Sequence, residues 1–326
     1  MNSPPATMCL CRCTLLFFSH SSALALWTYF ARLVDLTIWD CDALVYWPEN
    51  VFQVLVSLRK LLIRSCSNLT GGTQSSGEQS AQAGGGLLLR LESLRINNCA
   101  SLVEVPNLPP SLKTLNINRC DNIESIVFVQ QEDTRLVSGE GVVQLDTSSP
   151  ISGSSSSEAT ASTAVLKLSS AANHRFLPCL EALEICHCYG LSKVANLPSS
   201  IKTLRILGCR NLQSLSGQLG AIQKLTIISC IWLESLESCL GELRSLEELE
   251  LSDCRSLVSL PDGPQAYSSL RVLLIVNCEG IKLLPPSLQS CLDCLEEKRL
   301  DARYEGNILF PCFFFNKMIR STIGAV

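Results

Sequence analysis

Two stretches decide the fold: Leu112-Lys-Thr-Leu115-Asn-Ile117-Asn-Arg-Cys120-Asp-Asn-Ile123 and Leu246-Glu-Glu-Leu249-Glu-Leu251-Ser-Asp-Cys254-Arg-Ser-Leu257. Both read L-x-x-L-x-[IL]-x-x-C-x-x-[LI]. The same phrase ends at Cys41, Cys66, Cys99, Cys120, Cys188, Cys209, Cys230, Cys254 and Cys278. From Cys188 onward the cysteines stand 21, 21, 24 and 24 residues apart. A fixed period of this size means one short unit stacked many times. Inside the unit, Leu115 and Ile117 alternate with variable residues, and period two predicts a short strand with one buried face.

A single copy cannot enclose a core; stacked copies bury a continuous one, with their strands side by side. The expected fold is α/β: a leucine-rich-repeat solenoid with a curved parallel β-sheet, an irregular convex side and a C-terminal capping helix. Leu-Pro pairs at 108–109, 197–198, 260–261 and 284–285 fit the convex return, because proline fixes φ and has no N–H to pair. Leu288, Cys291, Leu292, Leu295 and Leu300 recur near helical spacing, which predicts the capping helix over 288–303.

The array spans 33–306, after a segment 1–32 that reads as its ragged beginning; Ala23-Leu-Ala25 is open to reading as a signal-peptide cleavage site instead. Two stretches break the period. Residues 70–86 carry almost no apolar side chain, and 130–163 contain four consecutive serines from Ser154. Such compositions bury too little to offset the entropy of ordering and predict flexible insertions. Val165-Leu-Lys-Leu168 reads as the strand of a degenerate repeat, and 307–326, with Phe310-Pro-Cys-Phe-Phe-Phe315, as a divergent tail.

Charged residues make up 17% of the 326, and the net charge is −4, which offers no whole-chain attraction for nucleic acid or an anionic membrane. Nine of the 18 cysteines occupy one repeat position, where an unpaired cysteine acts as a small buried hydrophobe with a weak S–H donor. A chain with its own core does not need disulfides, so a reducing, cytoplasmic setting is expected. Chemistry-bearing motifs are absent. There is no Gly-Lys dipeptide for a phosphate loop, and the three histidines, His20, His174 and His187, form no H-E-x-x-H. Cys186-His-Cys188 and Cys291-Leu-Asp-Cys294 each lack the second ligand pair of a zinc site. No catalysis, metal or cofactor is expected.

The alternation turns Thr114, Asn116 and Asn118 outward, and the same offset defines an outward face in every copy. That face is basic early (Lys60, Arg64, Arg95), acidic in the eighth copy (Glu248, Glu250) and apolar in the last row (Val272, Leu274, Val276). Trp39, Arg64, Arg95, Arg205, Ile228 and Glu250 are the candidate protein-binding residues of this concave surface.

Leu58-Arg-Lys-Leu-Leu-Ile-Arg-Ser-Cys-Ser-Asn-Leu-Thr-Gly71, Leu108-Pro-Pro-Ser-Leu-Lys-Thr-Leu115 and Leu284-Pro-Pro-Ser-Leu-Gln289 resemble the C-terminal leucine-rich region of plant intracellular nucleotide-binding disease resistance proteins, the coiled-coil type of grasses. So does Leu300-Asp-Ala-Arg-Tyr-Glu-Gly306. The resemblance covers roughly residues 26–306. It implies a sensor of pathogen effectors or guarded host proteins that restrains a nucleotide-binding domain in cis or in trans, with no nucleic-acid or membrane partner. The alternatives are a substrate adaptor of a ubiquitin ligase and a secreted leucine-rich binding protein. Deletion of 130–163 is expected to leave the thermal midpoint nearly unchanged, since loop-closure cost varies slowly with length. A large drop would show that the segment packs.

Overall fold

A computed structural model of the chain describes residues 6–13, 18, 21–72, 88–105, 108–128, 177–236 and 243–304. All nine expected strands form: β2 (Asp35–Trp39), β3 (Lys60–Arg64), β4 (Ser93–Asn97), β5 (Thr114–Asn118), β7 (Ala182–Cys186), β9 (Thr203–Leu207), β11 (Lys224–Ile228), β12 (Glu248–Ser252) and β13 (Val272–Val276). They pair in parallel within one eleven-stranded sheet. Leu115 aligns with Leu94 on one side and Leu183 on the other, and the inward Leu and Ile of all nine strands are buried. The sheet runs on without a gap where the period breaks, because β3 pairs directly with β4 and β5 with β7. Residues 73–87 and 129–176, with the expected strand at 165–168, lie outside the described residues, as does the tail from 305. Thr70–Gly72, expected in the first insertion, belong to the packed return. The Thr70 N–H donates to the Val45 carbonyl at 2.9 Å, and a Cβ on Gly71 (φ +90°) would collide with the Glu104 carbonyl.

Each strand ends in the same turn. The residue before the column cysteine has positive φ in all nine repeats, from 52° at Arg119 to 66° at Gly208. Asn, Asp and Gly tolerate this left-handed geometry best, and Asp40, Asn98, Gly208, Asp253 and Asn277 supply them at five of the nine positions. From Asp40 to Asp253, the N–H of that residue donates to the last carbonyl of the next strand at 2.7–3.0 Å. The bend swings the cysteine inward. All nine column thiols are buried, each 3.3–3.8 Å from the carbonyl two residues earlier. Cys120, Cys188, Cys209, Cys230 and Cys254 also reach a carbonyl of the preceding strand at 3.5–3.9 Å. The small thiol thus gives the crowded turn a weak donor without a strong polar group to satisfy.

The two ends depart from expectation. The ragged N-terminal segment contains β1 (Thr7–Cys11), which pairs with β2 so that Met8 meets Leu36 and Leu10 meets Ile38. Cys13 extends the column, its N–H donating to the Cys41 sulfur at 3.3 Å. Helix α1 (Ser21–Tyr29) follows and buries Trp27. At the other end, the helix expected over 288–303 is only α3 (Pro286–Cys291) and a short 3-10 turn, Leu292–Cys294. Glu297–Leu300 then forms β14, parallel to β13. Leu300 takes the isoleucine position, while Lys298 stands at the inward leucine position beside Leu273, at the open edge of the sheet. A charged edge strand of this kind discourages further pairing.

The return side carries regular structure where irregularity was expected. Helix α2 (Glu49–Val54) buries Val51 and Phe52. β6 (Ser125–Val127), β8 (Lys193–Leu197) and β10 (Ser214–Gly217) form a second, three-stranded parallel sheet, with Ile126, Val194 and Leu215 buried. Leu-Pro pairs lead back to the next strand, with Pro109 and Pro198 carbonyls accepting the N–H groups of Leu112 and Ile201 at 3.1 and 3.3 Å.

Leu249 is 2% exposed in the middle of this core. Leu249→Ala should cost about 2–5 kcal/mol of unfolding free energy in chemical denaturation, since a rigid solenoid relaxes little into the cavity. A second outcome concerns pH. Burial pushes the Cys120 and Cys230 thiols up to about 12 from an ordinary value of 9.0. Above pH 9 the unfolded chain releases these protons while the folded chain retains them. Stability is therefore full below pH 9 and falls as pH rises towards 12, by about 1.4 kcal/mol per pH unit for each such thiol. A Cys120→Ala, Cys230→Ala double variant should show a shallower decline in denaturation midpoint between pH 9 and 11; an identical slope would contradict the burial account.

Candidate functional site: the outer face of the long sheet

Because register is continuous, the outward residues line up in three ladders across the sheet. The central one runs Thr37, Leu62, Arg95, Asn116, Glu184, Arg205, Thr226, Glu250, Leu274. The ladder nearest the turns runs Trp39, Arg64, Asn97, Asn118, Cys186, Leu207, Ile228, Ser252, Val276. All six candidate residues lie on this face, spread along it rather than gathered in one pocket.

At the basic end, Trp39 is 46% exposed and aligns with Arg64 on the adjacent strand. Arg64 and Arg95 are exposed, and neither has an ion-pair partner among the described residues. These guanidiniums are available to an incoming carboxylate. Six strand spacings beyond Arg64, about 29 Å, Glu250 is half-buried with no ion pair among the described residues, while its neighbour Glu248 is held by Lys224 at 2.7 Å.

The middle of the face is occupied by its own network. The Glu184 carboxylate accepts a hydrogen bond from Asn116 Nδ2 at 2.6 Å and lies 3.6 Å from Arg205. Arg205 thus differs from Arg64 and Arg95, since its charge already faces a carboxylate. The pair is substantially solvent-exposed, so it adds little stability, but it orders the centre of the surface. Cys186 points outward as expected yet is 7% exposed beside Glu184, and burial, with the neighbouring carboxylate, raises its thiol to about 12. Asn97 and Asn118 are adjacent and half-buried, each with a side-chain carbonyl oxygen that has no donor among the described residues.

Towards the C-terminal end the surface is apolar. Ile228 is half-buried between Leu207 and Ser252, and Leu274 and Val276 are half-buried next to β14. The last row is flanked by a charged strand rather than covered by a helix, so its apolar side chains remain partly open.

The metal-like clusters come apart in three dimensions. Cys188 enters the core column, whereas Cys186 lies on the sheet face, and among the described residues no three His, Cys, Asp or Glu side chains gather to hold an ion. Cys291 lies 3.1 Å from the Leu288 carbonyl, and Cys294 is exposed. Among the described residues no helix is long and apolar enough to cross a membrane.

No family model matches this chain. Among solved structures it is similar to the leucine-rich repeat domain of the type III effector XCV3220 (XopL), with a TM-score of 0.48 and 14% identity over 92% of this chain and 78% of that one. It is also similar to TLR13 in a complex with ssRNA13, with a TM-score of 0.19 and 14% identity over 90% of this chain and 61% of the other. Neither likeness is strong enough to bear on function.

Proposed function

We propose that this chain is a non-catalytic protein-recognition module, the sensing region of a plant intracellular immune receptor that binds a pathogen effector or a guarded host protein. The observation that carries the recognition role is the separation of duties on each strand. Inward positions repeat the same Leu and Ile in every copy, and outward positions differ from strand to strand. A rigid sheet lets neighbouring rows contribute to one large interface. Trp39 with Arg64 and Arg95, which have no ion pair among the described residues, has the aromatic and arginine composition that dominates binding energy at protein interfaces. The immune assignment rests on the phrases at 58–71, 108–115, 284–289 and 300–306. A cytoplasmic setting is part of this proposal: the column cysteines serve as buried core side chains beside backbone carbonyls, a role that a reducing compartment preserves.

The test is a pairwise binding screen of the whole chain against secreted pathogen proteins and candidate host proteins. A Trp39→Ala, Arg64→Ala, Arg95→Ala set is expected to weaken any specific partner about tenfold or more. A return-side set, Ser125→Ala, Lys193→Ala and Ser214→Ala, should leave it unchanged. Binding lost only in the return-side set, in equally stable proteins, would place recognition on the opposite surface.

A further inference from the structure

A second surface runs along the turns that follow the strands. These turns stack in register: Asp121 Oδ1 accepts the Tyr189 N–H at 3.1 Å, and the Arg210 guanidinium lies 5.9 Å over the Tyr189 ring. His187 stands 6.4 Å from the same ring. Its imidazole packs over Gly208, where a Cβ would come within 2.5 Å of Nδ1. Gly208 is the only glycine among the nine left-handed positions, so the space His187 fills exists at this turn alone. One strand further on, Trp232 projects 56% exposed.

At the turn positions of these three successive repeats stand His187, Tyr189 and Gly190, then Gly208, Arg210 and Asn211, then Ser229, Ile231 and Trp232, with no acidic residue among them. Arg210 is exposed and has no carboxylate partner among the described residues. Around the corner, on the same three strands, lie the apolar Cys186, Leu207 and Ile228 of the sheet face. An aromatic, cationic edge therefore continues into an apolar rim.

We infer that this edge, built on His187, Tyr189, Arg210 and Trp232, docks a short acidic segment of a partner protein, a carboxylate seated on Arg210 and an apolar neighbour against Tyr189 and Trp232. The charge balance favours a short acidic peptide over a nucleic acid. A phosphate backbone needs a row of cations, whereas this edge offers the single guanidinium of Arg210, with the Asp121 carboxylate held against the Tyr189 N–H to repel an extended polyanion. The surface is separate from Trp39, Arg64 and Arg95, so it stands or falls apart from the sheet-face reading.

The test uses fluorescence anisotropy of the whole chain with three labelled probes: the end-blocked peptides Gly-Phe-Asp-Leu-Ser-Gly and Gly-Phe-Lys-Leu-Ser-Gly, which differ only in the charge offered to Arg210, and a 12-nucleotide oligo-dT. The acidic peptide should bind about tenfold tighter than either of the others, and more weakly as salt rises. Arg210→Glu and Trp232→Ala should each weaken it about fivefold, with unchanged melting because both side chains are exposed, while Leu283→Ala leaves it as it was. Equal binding of the two peptides, oligo-dT binding as tightly as the acidic peptide, or no effect of either edge variant would overturn the assignment.

Discussion

The structure depends on the turn that closes each strand. A left-handed residue directs its N–H to the next strand, and the cysteine after it drops into the core with its sulfur near the carbonyl two residues earlier and, in most repeats, a second carbonyl of the preceding strand. A larger side chain would not fit there, and a hydroxyl would bring a stronger polar group that must be satisfied. Repeated nine times, this turn sets the angle at which the chain leaves the sheet, and so allows every return segment to stack on the previous one. The strain of placing Arg119, His187, Ser65 and Ser229 at positive φ is borne because the hydrogen bond to the next strand is made in each case.

That arrangement divides the chain's labour. Stability sits in ladders of Leu, Ile and Cys that water does not reach, and among the described residues no charged side chain is fully buried, while the buried Tyr267 hydroxyl donates to the Pro261 carbonyl at 2.8 Å. Outward residues are consequently free to vary, because changing them removes nothing from the core. The surface is still not a set of independent side chains. Glu184 joins Asn116 and Arg205, Lys224 holds Glu248, and Arg271 makes a two-pronged pair with Glu296 at 2.7 and 2.8 Å. These contacts leave Arg64, Arg95 and Arg210 as cations on which an incoming carboxylate meets no internal competitor among the described residues.

The repeated phrase alone was enough to read the nine strands, their inward and outward residues, the buried cysteine column and the outward placement of Trp39, Arg64, Arg95, Arg205, Ile228 and Glu250. Side-chain direction on a strand alternates with period two, which is a local property, so a repeated phrase displays it without knowledge of neighbours. Tertiary structure decided what touches what. Asn116 and Glu184 are 68 residues apart and meet only because β5 pairs with β7. Arg210 reaches Tyr189, and His187 covers Gly208, only through the stacking of turns. The end strands were equally illegible: β1 carries Met8 for the usual leucine, and β14 has Lys298 in an inward column, and both are strands because an adjacent sheet edge supplies hydrogen bonds that their own side-chain pattern does not announce.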